Sequence, residues 1–168
     1  MTPVAALCFK ALDLPVEGLD LCGEVTFEAL DLHEDALFTF LSPLRFTLRA
    51  EPVQEGVLVR GRLEGEVQRV CDRCLEPGKV LLEVDPVCYH YEEVAGAEVD
   101  LTEAVREDIL LAFPQTWVCR ADCRGLCPRC GSNRNESTCG CPAEEPDEGD
   151  EDDDTWGALD DLVVRDDS

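Results

Sequence analysis

Apolar and polar residues alternate with a period of two in four stretches of this chain, and each stretch predicts a β-strand with one buried face. Over residues 19–27, Leu19, Leu21, Gly23, Val25 and Phe27 share a face opposite Asp20, Glu24 and Thr26. Over 45–50, Phe46 and Leu48 alternate with Arg45, Thr47 and Arg49. The clearest case is Val57 to Cys71. There Val57, Val59, Leu63 and Val67 face one way, and Arg60, Arg62, Glu64, Glu66 and Gln68 the other. Gly61 and Gly65 fall on the apolar face of that strand, where missing side chains suit a bend or bulge. Alternation resumes at Val80, Leu82 and Val84, so Cys71 to Gly78 is predicted to close a hairpin.

The period changes to helical between Leu101 and Phe113, where Leu101, Val105, Ile109, Ala112 and Phe113 line one side. Arg106, Glu107 and Asp108 are expected to face away. Asp100 is the expected N-cap, Glu103 can return a bond as in a capping box, and Pro114 stops the helix. Residues 31–40 fit helix and strand equally. The pattern as a whole predicts an α+β fold: a mostly antiparallel β-domain with one packing helix, spanning residues 1–116.

Composition changes this picture at the C-terminal end. The 168 residues include 45% hydrophobic ones, enough for a core, and carry a net charge of −24. Residues 143–168 contain 13 acidic side chains and one basic, residues 1–142 contain 25 and 13, so half of the excess lies in the last 26 positions. Nine of the twelve residues 143–154 are Asp or Glu, the composition of a disordered acidic tail. Trp156, Leu159, Leu162 and Val163 then restore the spacing of a short amphipathic motif. So acidic a chain attracts basic partners and repels polyphosphates at long range.

Six of the eleven cysteines crowd into the 23 residues from Cys119 to Cys141. Cys127-Pro-Arg-Cys130-Gly131 is the sharpest element: two sulfurs three positions apart meet at one ion only if the chain turns tightly between them. Pro128 presets the turn, and Gly131 accepts the positive φ with which such turns exit. Cys139-Gly-Cys141 supplies a second pair, and four thiolates at about 2.3 Å suit tetrahedral Zn²⁺. Residues 117–142 are therefore predicted to form a zinc-knuckle or ribbon-like module. Cys71 and Cys74, on the predicted hairpin, make another C-x-x-C.

Two ligand sets remain open. In one, Cys127, Cys130, Cys139 and Cys141 hold one Zn²⁺ while Cys71, Cys74, Cys119 and Cys123 hold a second, with a helical turn bringing Cys119 and Cys123 together. In the other, a single Zn²⁺ takes Cys123, Cys127, Cys130 and one of the final pair. A disulfide cluster is disfavoured because an odd cysteine count cannot fully pair. Residues 1–14 also lack a basic segment followed by a long apolar one, a pattern expected of a cytoplasmic protein. Cys8, Cys22 and Cys88 lack partners at ligand spacing and are expected to be small buried residues. His33 and His90 are assigned no chemistry. A thioredoxin-like redox pair at Cys71 and Cys74 would need a parallel strand opening a helix, and the surroundings predict a hairpin. No nucleophile elbow, phosphate-binding glycine loop or H-E-x-x-H motif occurs, so neither an enzyme nor a small-molecule substrate is expected. No run approaches the ~18 apolar residues of a membrane span.

Three blocks in this order resemble the YceD family, named for accumulation of large-subunit ribosomal RNA. They are Cys71-Asp-Arg-Cys-Leu-Glu-Pro77, the helix of Asp100 to Pro114, and the cysteine run of Cys119 to Cys141. The Trp156 to Leu162 motif also looks like the family's short closing segment, although acidic residues flank it here. The resemblance implies a bacterial-type ribosome biogenesis factor. Its expected partner is a basic ribosomal protein or pre-ribosomal particle, bound by the acidic surface. The alternative is direct RNA contact through Arg120, Arg124, Arg129 and Arg134.

Overall fold

Two long strands joined by a tight turn organise the molecule. The computed structural model describes residues 2–142 except 55, 93 and 95. In chain order its elements are β1 (Cys8–Lys10), β2 (Leu19–Val25), β3 (Phe38–Phe40), β4 (Leu44–Val53), β5 (Gly56–Val70), β6 (Pro77–Glu92), β7 (Glu98–Asp100) and α1 (Thr102–Ala112). The acidic stretch and the Trp156–Val163 motif lie outside the described residues.

All pairing is antiparallel. β5 forms the spine: β4 and then β3 run along one side, β6 along the other, and β2 extends the sheet beyond β4. β1 and β7 form a separate two-stranded ribbon. The inner face of the sheet carries Phe46, Leu48, Val59, Leu63, Val67 and Leu82, and Phe27, Leu7, Leu101, Val105 and Ile109 close over it. Strand parity decides this: the residues that alternate in sequence are the ones that vanish from solvent. The β5–β6 register slips by one residue between Gly61 and Leu63, where Val84 and Val87 enclose Asp85 and Pro86 opposite Arg62. The extra residue thus lies on β6, beside Gly61, and not in the glycine-bearing strand β5, while Gly65 stays in regular register beneath Phe27.

Several expectations need correction. The helix is a residue shorter at each end than the periodicity suggests. Leu101 is its N-cap, and the Asp100 carboxylate caps from one position further out, accepting from Thr102 N at 2.9 Å and from the Thr102 hydroxyl. Thr102 Oγ1 in turn accepts from Val4 N at 3.0 Å, which ties the N-terminus to the helix. Glu103 does not turn back to close a capping box; it faces Arg106 at 4.0 Å. Asp108 does not face away: the Tyr89 hydroxyl donates to its Oδ2 at 2.6 Å. Because α1 lies on β6, more of its circumference is covered than its apolar stripe. Burial, reinforced by that carboxylate, holds the Tyr89 phenol well above its usual range.

Residues 31–40 end as strand rather than helix. Asp31 takes a left-handed conformation (φ 56°) after a short 3-10 turn, and Phe38–Phe40 then pairs with β5. Cys22 and Cys88 are exposed, not buried, and Cys8 is half-buried. The parity that turns Leu21 and Val87 inward turns their neighbours Cys22 and Cys88 out to solvent. β1 and β7, at three residues each, are too short to show a period and had no sequence signal.

Candidate metal centres

β5 ends at Val70, and the next six residues reverse the chain into β6. Leu75 N donates to Cys71 O and Cys71 N to Glu76 O, both at 2.9 Å. Leu75, the residue after the second cysteine, sits at φ 60°. The same scheme recurs fifty-six positions on. Gly131 N donates to Cys127 O and Cys127 N to Ser132 O, both at 2.8 Å, with Gly131 at φ 72°. The two C-x-x-C elements are thus one backbone motif used twice, with glycine at the left-handed position in one copy and leucine in the other. An L-residue there costs roughly 1–2 kcal/mol. Leu75 is 61% exposed, so little packing is lost with its side chain. Leu75→Gly is therefore expected to raise stability by about 1 kcal/mol, read as a higher denaturant midpoint at unchanged slope. An unchanged or lower midpoint would refute the strain.

The structure gathers the eight cysteines into two sets of four. Cys71, Cys74, Cys119 and Cys123 form one, Cys127, Cys130, Cys139 and Cys141 the other, and within each set the sulfurs all lie within 4.8 Å of one another. Cys123 stands with Cys71, not with Cys127 as the single-ion set would require. The turn holding Cys119 and Cys123 is not helical; Cys123 N donates to Arg120 O at 3.1 Å. The first set draws two residues from the β-domain and two from beyond residue 116, so it bridges those parts of the chain.

Specific side chains hold that bridge. Arg69 is almost wholly buried, with its guanidinium 5.2 Å from the centroid of the Phe38 ring. Its Nη2 donates to Asp72 Oδ1 at 3.2 Å and to Gln115 O at 3.0 Å. Asp72 completes the clasp: its Oδ2 accepts from Trp117 N at 2.6 Å and its own N donates to Trp117 O at 3.0 Å. Trp117 lies over Gly78, where a Cβ would stand 2.2 Å from the indole. The segment carrying Cys119 is thereby laid against the hairpin before any sulfur is considered.

The two sets also interlock. Leu126 N donates to Arg73 O at 2.9 Å, and Arg73 Nη1 to Cys123 O at 3.2 Å. The loop between the two cysteine pairs of the second set reaches back to the first, where Asn135 Nδ2 donates to Cys123 Sγ at 3.3 Å. Asn135 Oδ1 accepts from Arg124 N and Arg120 Nη2, each at 2.8 Å. Sequence reasoning passed over Arg69, Asp72 and Asn135. Arg69 and Asp72 flank Cys71, which is the only signal that could have found them.

The donor geometry fits a tetrahedral ion. With bonds of about 2.3 Å, the sulfur–sulfur edges of a regular tetrahedron are about 3.8 Å. Cys74 to Cys119 measures 3.7 Å and Cys71 to Cys123 3.9 Å, and none of the eleven cysteines is disulfide-bonded. Electrostatics favour anionic sulfur at particular positions. Burial alone would raise the Cys71 thiol, but N–H groups of Cys119, Cys74 and Arg73 outweigh it and bring it down to about 6. The Ser132 hydroxyl and N–H, with Cys127, lower Cys130 to about 6. Burial and neighbouring sulfurs instead push Cys119 up to about 12. Each set so holds some sulfurs ready as thiolates and others as S–H donors to them. An ion held by four sulfurs would have no open coordination position, the arrangement of structural rather than hydrolytic sites.

Among known proteins, no solved structure matches the chain significantly. An uncharacterized protein of Mycobacterium tuberculosis is 35% identical over 104 residues, covering 52% of this chain and 50% of the relative. One from Mycobacterium leprae is 29% identical over 107 residues, covering 55% and 49%. Arabidopsis thaliana has a relative named large ribosomal RNA subunit accumulation protein YCED homolog 1, chloroplastic, which is 36% identical over 133 residues, 79% of this chain and 38% of the relative. The chain thus spans about half the length, or less, of the curated relatives it matches. The family model described as large ribosomal RNA subunit accumulation protein YceD matches residues 86–163, which include α1 and six of the eight clustered cysteines. With the cysteine pattern, the helix block and these matches agreeing, the chain belongs to the YceD family.

Proposed function

We propose that this protein is a non-enzymatic ribosome biogenesis factor in which each cysteine set holds a structural Zn²⁺. The two ions order residues 117–142 as a module on the end of the β5–β6 hairpin. The family's name and that of the Arabidopsis relative both refer to accumulation of large-subunit ribosomal RNA. One observation supports the zinc reading above the others. In residues 117–142 the buried hydrophobic side chains are Cys123 and Cys127, so this segment folds without an apolar core of its own. Metal binding supplies the missing free energy in such segments, roughly 10–16 kcal/mol of apparent affinity per site.

The ions rigidify the scaffold; the acidic surface does the recognising. Net charge is −12 over residues 1–142 and −12 again over residues 143–168, which favours a basic ribosomal protein or the pre-ribosomal particle that carries one. The work is expected where ribosomes are assembled, in a reducing, cytoplasmic-type compartment. Among the described residues no helix is long and apolar enough to cross a membrane.

Protein prepared without chelators should contain two zinc ions per chain and should retain a basic ribosomal protein on a column. Removal of residues 143–168 should cost most of that retention while leaving the metal content at two. Metal-free yet fully folded material would remove the zinc reading. Retention that ignores the tail and rising salt alike would remove the electrostatic one.

A further inference from the structure

Beyond binding a basic protein, the second cysteine set carries a surface of opposite character. A cleft of about 650 Å³ opens beside Cys127, Cys139 and Cys141. It is lined by Arg124, Arg129 and Arg134 with Pro128 and Thr138, and among the described residues no carboxylate lines it. All three arginines are exposed, and none forms an ion pair among the described residues. Elsewhere several arginines do have partners, although Arg60 on the sheet has none among the described residues. On the outer face of the sheet, Arg45 pairs with Glu24 at 3.2 Å, Arg49 with Asp20 at 2.7 Å and Arg62 with Glu64 at 3.5 Å. At the other end of the module Arg120 meets Asp122 at 3.5 Å. In a chain with 38 acidic and 14 basic residues, three arginines grouped around one hollow, with no ion pair among the described residues, suit an external anion.

We infer that the Arg124–Arg129–Arg134 cleft is a docking site for the sugar-phosphate backbone of RNA. Guanidinium groups are suited to phosphate because they are always charged and present paired N–H donors. Four thiolates and one Zn²⁺ leave the second set at −2, which three arginines exceed. The three arginines are exposed while Cys127 is buried, so an approaching phosphate meets positive charge first. Backbone anchoring of this kind carries no sequence readout. Neighbouring acidic surface then limits the contact to this cleft, and the same molecule can grip a basic protein elsewhere. The charge balance rests on the proposed function's metal-loaded second set; the arginine rim itself does not.

The test uses full-length, zinc-loaded protein and a labelled single-stranded RNA oligonucleotide, with affinity measured over a range of salt. R124Q/R129Q/R134Q is expected to bind at least tenfold more weakly at low salt. Its slope of log affinity against log salt should flatten by about 2, since each lost single-strand phosphate contact removes about 0.7. R129Q alone, a change at an exposed knuckle position, should lower the slope by about 0.7. R45Q/R60Q on the sheet should match the wild type. Equal affinity and slope for the triple variant would overturn the inference, as would an equal loss in the sheet variant. It would also be overturned if poly-glutamate proved the tighter, arginine-dependent ligand, which would make the cleft an acidic-peptide site. Zinc is counted on the same samples. Wild type that lacks metal but binds RNA through these arginines would overturn the zinc reading and spare the cleft.

Discussion

Cys71→Ser is expected to cost the protein one bound metal ion and to release residues 117–142 from the end of the β5–β6 hairpin. Cys71 has no solvent exposure, lies 3.9 Å from Cys123, and accepts a hydrogen bond from Cys119 N at 3.3 Å. Serine offers a smaller and harder oxygen in place of the thiolate, in a place already shaped around sulfur. Losing the ion removes most of the roughly 10–16 kcal/mol that a structural zinc contributes. What remains to hold the segment is the Arg69–Asp72–Trp117 clasp and the contacts of Arg73. Zinc should fall from two to one per chain, and protease should cut between residues 115 and 127 while leaving residues 56–92 intact. A variant with two ions and wild-type protease resistance would defeat the two-centre arrangement.

Acid should act in the same direction. The Cys71 and Cys130 thiols titrate near 6 against an ordinary value of 9.0. A depressed thiol contributes stability above its unfolded value and loses it as pH falls through its folded value. Metal release on acidification is therefore expected below about pH 6, with both centres intact at neutral pH.

Gly61→Ala is expected to destabilise the sheet by about 4 kcal/mol or more, among the largest effects a single methyl can have. A Cβ there would stand 2.0 Å from Thr47 O and 2.8 Å from Leu48 Cα, and the backbone is at φ 155°. Both neighbours are main chain of β4, so neither can swing aside as a side-chain tip would. Relief requires breaking the β4–β5 ladder where Leu48 faces Gly61. That is also where β6 carries its extra residue. The consequence extends to the site, because β5 is the strand that delivers Cys71. Chemical denaturation with the midpoint and slope both recorded checks the size of the loss. A native-like midpoint would show that the strands separate there more cheaply than the packing implies.

Much of the fold was legible because its information is local. Alternation in Val57–Cys71 and Arg45–Ala50 set strand, parity and buried face together, and strand parity exposes Cys22 and Cys88, which as cysteines without partners at ligand spacing were expected to be buried. Three-residue strands such as β1 and β7 were not legible, since their pairing is made by partners ninety residues apart. The helix was visible by its spacing, but its start was not: Leu101 is the N-cap, Asp100 caps from one position further out, and Thr102 Oγ1 accepts from the distant Val4 N.

For the site, the chain by itself determined that sulfur pairs occur at chelating intervals and that Cys127 to Gly131 must turn tightly, because those constraints run over four or five bonded residues. Which four sulfurs meet was decided by the tertiary structure. Cys71 and Cys119 are brought together by a hairpin end, a buried arginine and a Trp–Asp clasp, none of which leaves a periodic trace. The grouping of Arg124, Arg129 and Arg134 around one cleft was decided there too, for which charges become neighbours depends on where the folded chain puts them.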